Sequence, residues 1–419
     1  VNTRTLGRLI VVAMAVGIPR PVPAQGLDGN VSVMFDVLPD VEVRTFESNG
    51  STARQSVEEL RMRVFAERLF ALGDHLRVTA SGFVDGLVAH RGRAVSTALV
   101  RPQELHVEVL WSKADLRVGL SRVVWGRLDE FLPTDVVNPL DVARFFLDGR
   151  VEARMPVAMV RGRVLPSERF TLEGIYIPVF RRGRFDQLDE DTSPFNLAPT
   201  AAAVSHTPSH EWANAQGGVR ATVTTGRVDW SASAYRGFEP LPLYGIGVVN
   251  GMPAVEERFP RFTMVGGDFE TVRGEWGFRG EVAAFVDRTL QVIGQPLTVD
   301  GRSFEAGLGA DRRAGDYRVS VNAVVSGREA ISGAAIDETD TLLVLSLDRS
   351  FARETRHLRT FAVYNPGEDS AFARVVASFN LRDSVTLEAS GGWFGGTGAD
   401  VLGRLATRDF LYARLKVFF

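Results

Sequence analysis

A chain of 419 residues with 45% apolar content and mean hydropathy +0.01 can make two soluble domains or one large barrel. Its net charge of −3, with arginines dispersed along the chain, excludes a nucleic-acid binder, and the lack of cysteine excludes a disulfide scaffold and thiolate zinc sites. Beyond the N-terminus no run of about eighteen apolar residues occurs, so a helical membrane protein is excluded as well.

Residues 1–25 read as a secretory signal peptide. Arg4 and Arg8 precede the apolar run Leu9 to Ile18, which Pro19, Pro21 and Pro23 break before Ala24-Gln25. From residue 26 to 419 one pattern repeats: an alternating strand, a short turn, an alternating strand, a polar loop. Val31 to Glu47 supplies the first strand. Predicted hairpins follow with tips at Gly73-Asp74, Lys113-Ala114-Asp115, Pro166-Ser167-Glu168, Thr225-Gly226-Arg227, Arg273-Gly274-Glu275 and Arg313-Ala314-Gly315-Asp316. Leu342 to Ser350, Arg356 to Tyr364, Ala371 to Asn380 and Val385 to Trp393 continue the series, the last two joined through Arg382-Asp383-Ser384. Gly, Asp and Ser at such tips are hairpin chemistry.

The last ten residues, Phe410 to Phe419, alternate strictly. Leu411, Ala413, Leu415, Val417 and Phe419 form an apolar set, and Tyr412, Arg414 and Lys416 sit in the other. About ten residues is the length a tilted strand needs to cross a bilayer. Trp111, Trp230, Trp276, Tyr317, Tyr364 and Trp393 fall near strand ends on the apolar set, as an interfacial girdle does. Short turns alternate with long loops at roughly 48–60, 86–104, 125–156, 180–218, 237–261, 288–303, 327–341 and 394–409. The sequence therefore predicts an all-β fold: a transmembrane antiparallel up-and-down β-barrel of about eighteen strands, with short periplasmic turns and long extracellular loops. The count falls to sixteen if the Val31 strand, which contains Pro39, and the less regular 157–179 hairpin drop out. The last strand is expected to close against the first.

The loop from Trp125 to Met155 is the most informative. Asp135, Asn138 and Asp141 are turn and cap formers, and Pro139 stands where a helix can start. One reading folds 125–155 into the lumen as a constriction, setting Asp129, Asp135 and Asp141 against wall arginines such as Arg117 and Arg318. The other makes it an outer cap with its carboxylates satisfied locally. Charges of both signs recur at inner-face positions, among them Glu108, Glu173, Arg279, Glu281 and Arg414. One reading is a polar lumen without strong ion selectivity, the other that they pair across strands and plug the interior.

The strand-end WGxxD of Trp125 to Asp129, the DVVNPLD of Asp135 to Asp141 and the RMPVAMVRG of the next strand resemble an uncharacterised family of outer-membrane barrels classed as a domain of unknown function. More distantly they resemble the alginate-export barrels. The likeness spans Ala114 to Phe195. It implies residence in the Gram-negative outer membrane and the handling of a lipid, carbohydrate or other cargo, and it carries no catalytic residues. The strand ending on Phe419 is similar to the C-terminal assembly signal of such barrels, which implies the barrel-assembly machinery as a partner, with outer-membrane lipid and lipopolysaccharide around the wall.

No GxSxG, HExxH or phosphate-binding glycine loop occurs, and Pro208 between His206 and His210 disfavours the helix that would aim both imidazoles at a metal. No catalytic, cofactor or metal site is expected. Two functions stay open: a porin-like channel for small molecules or a lipid or carbohydrate cargo, and a non-conducting barrel that docks envelope partners.

Overall fold

The computed structural model describes residues 33–50, 53–198, 203–249, 251–292, 295–331 and 336–419. The expected signal segment, 1–25, lies outside them. Eighteen strands form one sheet. Each pairs antiparallel with the barrel strand that follows it in sequence, and the first, Val33–Gly50, also pairs with the last, Phe410–Val417. Asp40 stands opposite Lys416 and Phe46 opposite Phe410, while the Phe419 amide donates to the Val37 carbonyl at 3.3 Å. Closure leaves no open sheet edge, the one backbone arrangement besides a helix that hydrocarbon tolerates. The count is eighteen because the first strand keeps its register straight through Pro39, opposite Val64, and because Val157–Ser167 and Phe170–Ile177 form a true hairpin.

Which face points outward is decided by exposure. Val43, Leu105, Leu308 and Leu411 are each more than half exposed, whereas their sequence neighbours Arg44, His106 and Tyr412 are buried. The apolar face is outside. An uninterrupted greasy belt of this kind fits lipid and not water. Trp111, Trp230, Trp276 and Tyr317 are exposed beside the short turns, and Tyr364 and Trp393 near the opposite ends, so the aromatics bracket the belt. The molecule is an outer-membrane β-barrel.

The tight turns fall where expected, with Gly226 at φ 64° and Gly274 at φ 63° supplying the left-handed residue that two-residue hairpins require. Two expected loops, 48–60 and 86–104, are instead strand. Val33–Gly50 and Ala53–Leu72 meet across residues 51–52, and Leu76–His90 and Ala94–Trp111 across 91–93. At 15 to 20 residues these strands exceed the roughly ten that cross a bilayer, so the hairpins stand beyond the membrane. Charges such as Glu59 and Arg91 gave these segments a loop-like composition, but the same charges are buried as a pair inside the barrel. The expected loop 237–261 also contains structure. Its hairpin Leu243–Val249 and Met252–Arg258 is extended by a parallel strand, Ala203–His206.

Candidate functional site in the lumen

Between the strands Ala114–Ser121 and Val157–Ser167 the chain makes its long excursion at the end opposite the tight turns. Short polar side chains fix its shape. Asn138 accepts from the Val123 amide at 2.8 Å and donates to the Met155 carbonyl at 2.9 Å, stapling the departing and returning limbs. Asp135 receives Arg150 at 3.0 Å, Arg154 at 2.7 Å and the Trp125 amide at 3.4 Å. Asp141 caps the helix Val142–Asp148 by accepting from the Arg144 amide at 3.2 Å, the usual reward for an aspartate at that position. The helix starts three residues later than Pro139, with Asp141 as its cap.

The loop then binds the inner wall. The Trp125 indole, 1% exposed, donates to Glu173 at 2.7 Å and meets Tyr235 edge to face. Glu281, on the strand Trp276–Gln291, accepts from the amides of Arg127, Leu128 (2.5 Å) and Thr134 (3.3 Å), and from the Thr134 hydroxyl at 3.0 Å. A single wall carboxylate thus holds four donors of one loop. Gly126 makes room: at φ 97°, a Cβ there would lie 2.7 Å from Glu281 Oε2. Arg127 reaches Asp268 at 3.1 Å and Glu270 at 2.7 Å.

Of the expected acid–arginine contacts, the partners differ. Asp129 meets Arg279 at 3.2 Å and accepts from Ser320 at 2.9 Å. Arg318 instead pairs with Asp311 at 3.2 Å, and Arg117 with Glu108 at 2.9 Å. Both are wall-to-wall pairs, and Arg117 stands directly opposite Glu108 in the register of adjacent strands. Asp141 approaches Arg101 at 3.9 Å, and Asp135 is satisfied within the loop itself.

The helix fills the other side of the lumen. Phe146 stacks on Phe195 with centroids 5.6 Å apart and meets Phe372 and Phe394 edge to face, in a cluster that includes Val344, Val363 and Tyr412. Phe195 belongs to a second inward segment. The Val142 amide donates to the Arg184 carbonyl at 2.8 Å and the Ala143 amide to the Phe185 carbonyl at 2.9 Å, so the two segments pack as one. The lumen is therefore not uniformly polar as expected. Inner-face positions opposite the loops are apolar, because there they pack on protein and not on water.

At the helix end Asp148 meets Arg414 at 2.6 Å and Arg144 at 3.1 Å. Burial, the largest influence, pushes the Asp148 carboxyl up, but Arg414, Arg144, Arg63 and Arg44 together hold it well below the usual carboxylate range. Asp141 goes the other way: burial, followed by the neighbouring Asp186 carboxylate, raises it. Glu281 and Arg279 read in the sequence only as inner-face charges and Asp148 did not stand out; that all three anchor the loop is visible only in the structure. Their partners lie 147, 150 and 266 positions away, and no local pattern reports that distance.

A family model, "Protein of unknown function (DUF1302)", matches residues 106–339, more than half of the chain. This chain belongs to the DUF1302 family. Among curated proteins none matches the sequence. The DUF1302 barrel is similar in fold to Acinetobacter baumannii OccAB4, with 9% identity, 95% of this chain and 99% of that one covered, and a TM-score of 0.51. It is similar to Pseudomonas aeruginosa OccK8 (OprE) at 10% identity, 92% and 98% coverage and a TM-score of 0.51. A further likeness, to Pseudomonas aeruginosa OccK5 (OpdH), has 11% identity, 93% and 97% coverage and the same score. At these identities the likeness concerns the fold, and the matches run the length of the barrel.

Proposed function

We propose that this DUF1302 protein is a porin-like channel of the outer membrane whose pore is narrowed by the segment 125–155. The observation that carries this reading is the contrast along the lumen. Toward the tight turns the inner wall presents half-open charges, with the side chains of Arg318 and Asp348 51% and 44% exposed. Toward the opposite end the loops close in, with Trp125, Thr134 and Leu147 buried. A wetted vestibule that meets a loop-built constriction is the arrangement of a selective pore. Trp125, Asp129, Asp135, Asn138 and Asp141 shape that constriction, and Arg279 and Arg318 supply charge at its inner rim. Charges of both signs there favour small polar solutes over ions of one sign.

The Glu281 anchor holds the narrow part of a loop that ion pairs such as Asp129–Arg279 and Asp148–Arg414 and the packing of Phe146 also secure, so the pore width depends on these contacts together. In planar bilayers the folded protein is expected to give small, resolved conductance steps. Removal of residues 127–150, bridged by a short glycine linker, is expected to enlarge them severalfold. A silent bilayer from folded protein, both before and after that deletion, would replace the channel with the non-conducting docking barrel.

A further inference from the structure

One cavity of the barrel lies outside the lumen. It is a groove of about 570 Å³ on the outer wall, where the strands Val228–Phe238, Arg261–Arg273, Trp276–Gln291, Thr298–Ala314 and Tyr317–Ala330 lie side by side. Its floor is made of small outward-facing residues, Gly267, Ala306 and Ala323. Its walls are Trp230, Phe269 and Leu308. A Cβ built on Gly267 would meet only the Ser231 carbonyl, at 3.2 Å, so the floor is open toward the membrane. The lining is almost wholly apolar.

Below the groove, toward the tight turns, two arginines face outward. Arg312 lies on the same strand face as Ala306 and Leu308 and stacks over Trp276 at 5.4 Å. Arg349 stacks over Tyr317 at 4.7 Å and stands directly opposite it in register. Arg312 has an exposed partner, Glu275, at 2.6 Å. Among the described residues no carboxylate lies within ion-pair distance of Arg349. From Leu308 to Arg312 the strand runs roughly 13 Å, which at a tilt of about 40° is roughly 10 Å along the membrane normal, within the depth of one leaflet's chains, about 15 Å.

We infer that this face is a binding site for an anionic phospholipid of the periplasmic leaflet, its acyl chain laid in the Gly267–Ala306–Ala323 groove and its phosphate held by Arg349 and Arg312. Guanidinium groups braced on aromatic faces at headgroup level suit a phosphodiester, and a groove without polar lining suits a hydrocarbon chain. The polarity of the site chooses the leaflet. Its cationic end lies at the tight turns, the periplasmic side of such a barrel. Lipopolysaccharide, which occupies the opposite leaflet, would meet the groove at an end whose outward charges are paired off, Arg302 with Glu329 at 2.7 Å and Arg236 with Asp287 at 3.7 Å. The site rests on the barrel's place in the membrane and is independent of the channel reading.

Native mass spectrometry of the full chain in mild detergent tests this, with phosphatidylglycerol and phosphatidylethanolamine added in equal amounts. The wild-type protein is expected to retain one phosphatidylglycerol, about tenfold in preference to phosphatidylethanolamine. Ala306→Phe fills the floor and should abolish retention of both. Arg349→Gln should bring the two lipids near parity while a lipid still binds. If Ala306→Phe does not reach the heat-modifiable folded form, Ala323→Phe makes the same test from the neighbouring strand. Equal retention by wild type and the filled variant overturns the site. So does retention of lipopolysaccharide instead, or a wild-type oligomer that the filled variant reduces to monomer, which would give the groove to a second copy of this chain.

Discussion

Arg414, on the strand that closes the barrel, donates to Asp148 at 2.6 Å, and Asp148 is the last residue of the helix that fills the lumen. The closing strand and the inward loop are thereby one structure. Tyr412, two residues before, adds a hydrogen bond from its hydroxyl to the Leu147 carbonyl at 3.2 Å. Asp148→Asn keeps the shape but leaves Arg414 and Arg144 short of charge in a buried site. Loss of one partner of a buried pair costs about 3–5 kcal/mol. The midpoint of the heat-modifiability transition is expected to fall well below that of the wild type, and an unchanged midpoint would remove Asp148 from the anchoring of the loop.

The same contact sets a pH expectation. With its folded-state pKa held below that of the unfolded chain, Asp148 contributes stability above the unfolded value, and this is lost only as pH falls through the lowered one. Asp141, raised by burial and Asp186, contributes in the opposite sense and favours the fold toward acid. Conductance and protease resistance of the loop should thus be steady from pH 7 to about pH 4. Opening of the loop near pH 6 would contradict this.

Glu281 can be tested from both sides of its contact. Glu281→Ala leaves three loop amides and a hydroxyl without an acceptor, each worth about 1–3 kcal/mol when buried. Gly126→Ala leaves the carboxylate in place and pushes it away, since the new methyl would sit 2.7 Å from Oε2 and the backbone is at φ 97°. Both variants should raise conductance and expose the 125–155 segment to trypsin while the barrel remains folded. If only Glu281→Ala opens the loop, the effect belongs to the charge and not to the docking.

Arg279 and Arg117 make a paired comparison. Arg279 touches Asp129, whereas Arg117 pairs with Glu108 on the adjacent strand. Arg279→Ala should shift reversal potentials toward cations, because Asp129 is then uncompensated at the constriction. Arg117→Ala should leave selectivity unchanged. Equal shifts in both would mean that the pore senses net lumen charge and not the constriction.

Phe419 is expected to serve assembly more than stability. Its side chain is 69% exposed, so little packing is lost on truncation. Phe419→Ala should lower the amount of folded barrel in the outer membrane of growing cells several-fold, with an ordinary heat-modifiability midpoint in what does fold. A normal yield would deprive the terminal residue of that role.

Much of the architecture was legible because strand alternation and turn chemistry are local. Leu411, Leu415 and Phe419 read as one face and Tyr412 and Arg414 as the other, and the structure exposes the first three and buries the last two. Gly226 and Gly274 marked their turns. Where the reading went astray, the property was not local. The long hairpins around residues 51–52 and 91–93 looked like polar loops because Glu59 and Arg91 are charged. The two are each other's partner inside the barrel, 2.5 Å apart, and that pairing makes the charges compatible with strand.

The sequence by itself pointed to a closed membrane barrel of sixteen or eighteen strands and to its girdles, since period-two alternation, turn residues and parity suffice for these. The pairing of the Pro39 strand and of the 157–177 hairpin made the count eighteen. Only the tertiary structure decided which loop residues touch which wall. The lumen brings Thr134 to Glu281, Asp129 to Arg279 and Asp148 to Arg414 across 147 to 266 positions. Any inward-facing arginine could have met any loop carboxylate on the evidence of spacing alone. The curvature of the closed wall and the burial of the Phe146 helix fixed the choice, because a charge taken out of water must find the one partner that geometry leaves within reach.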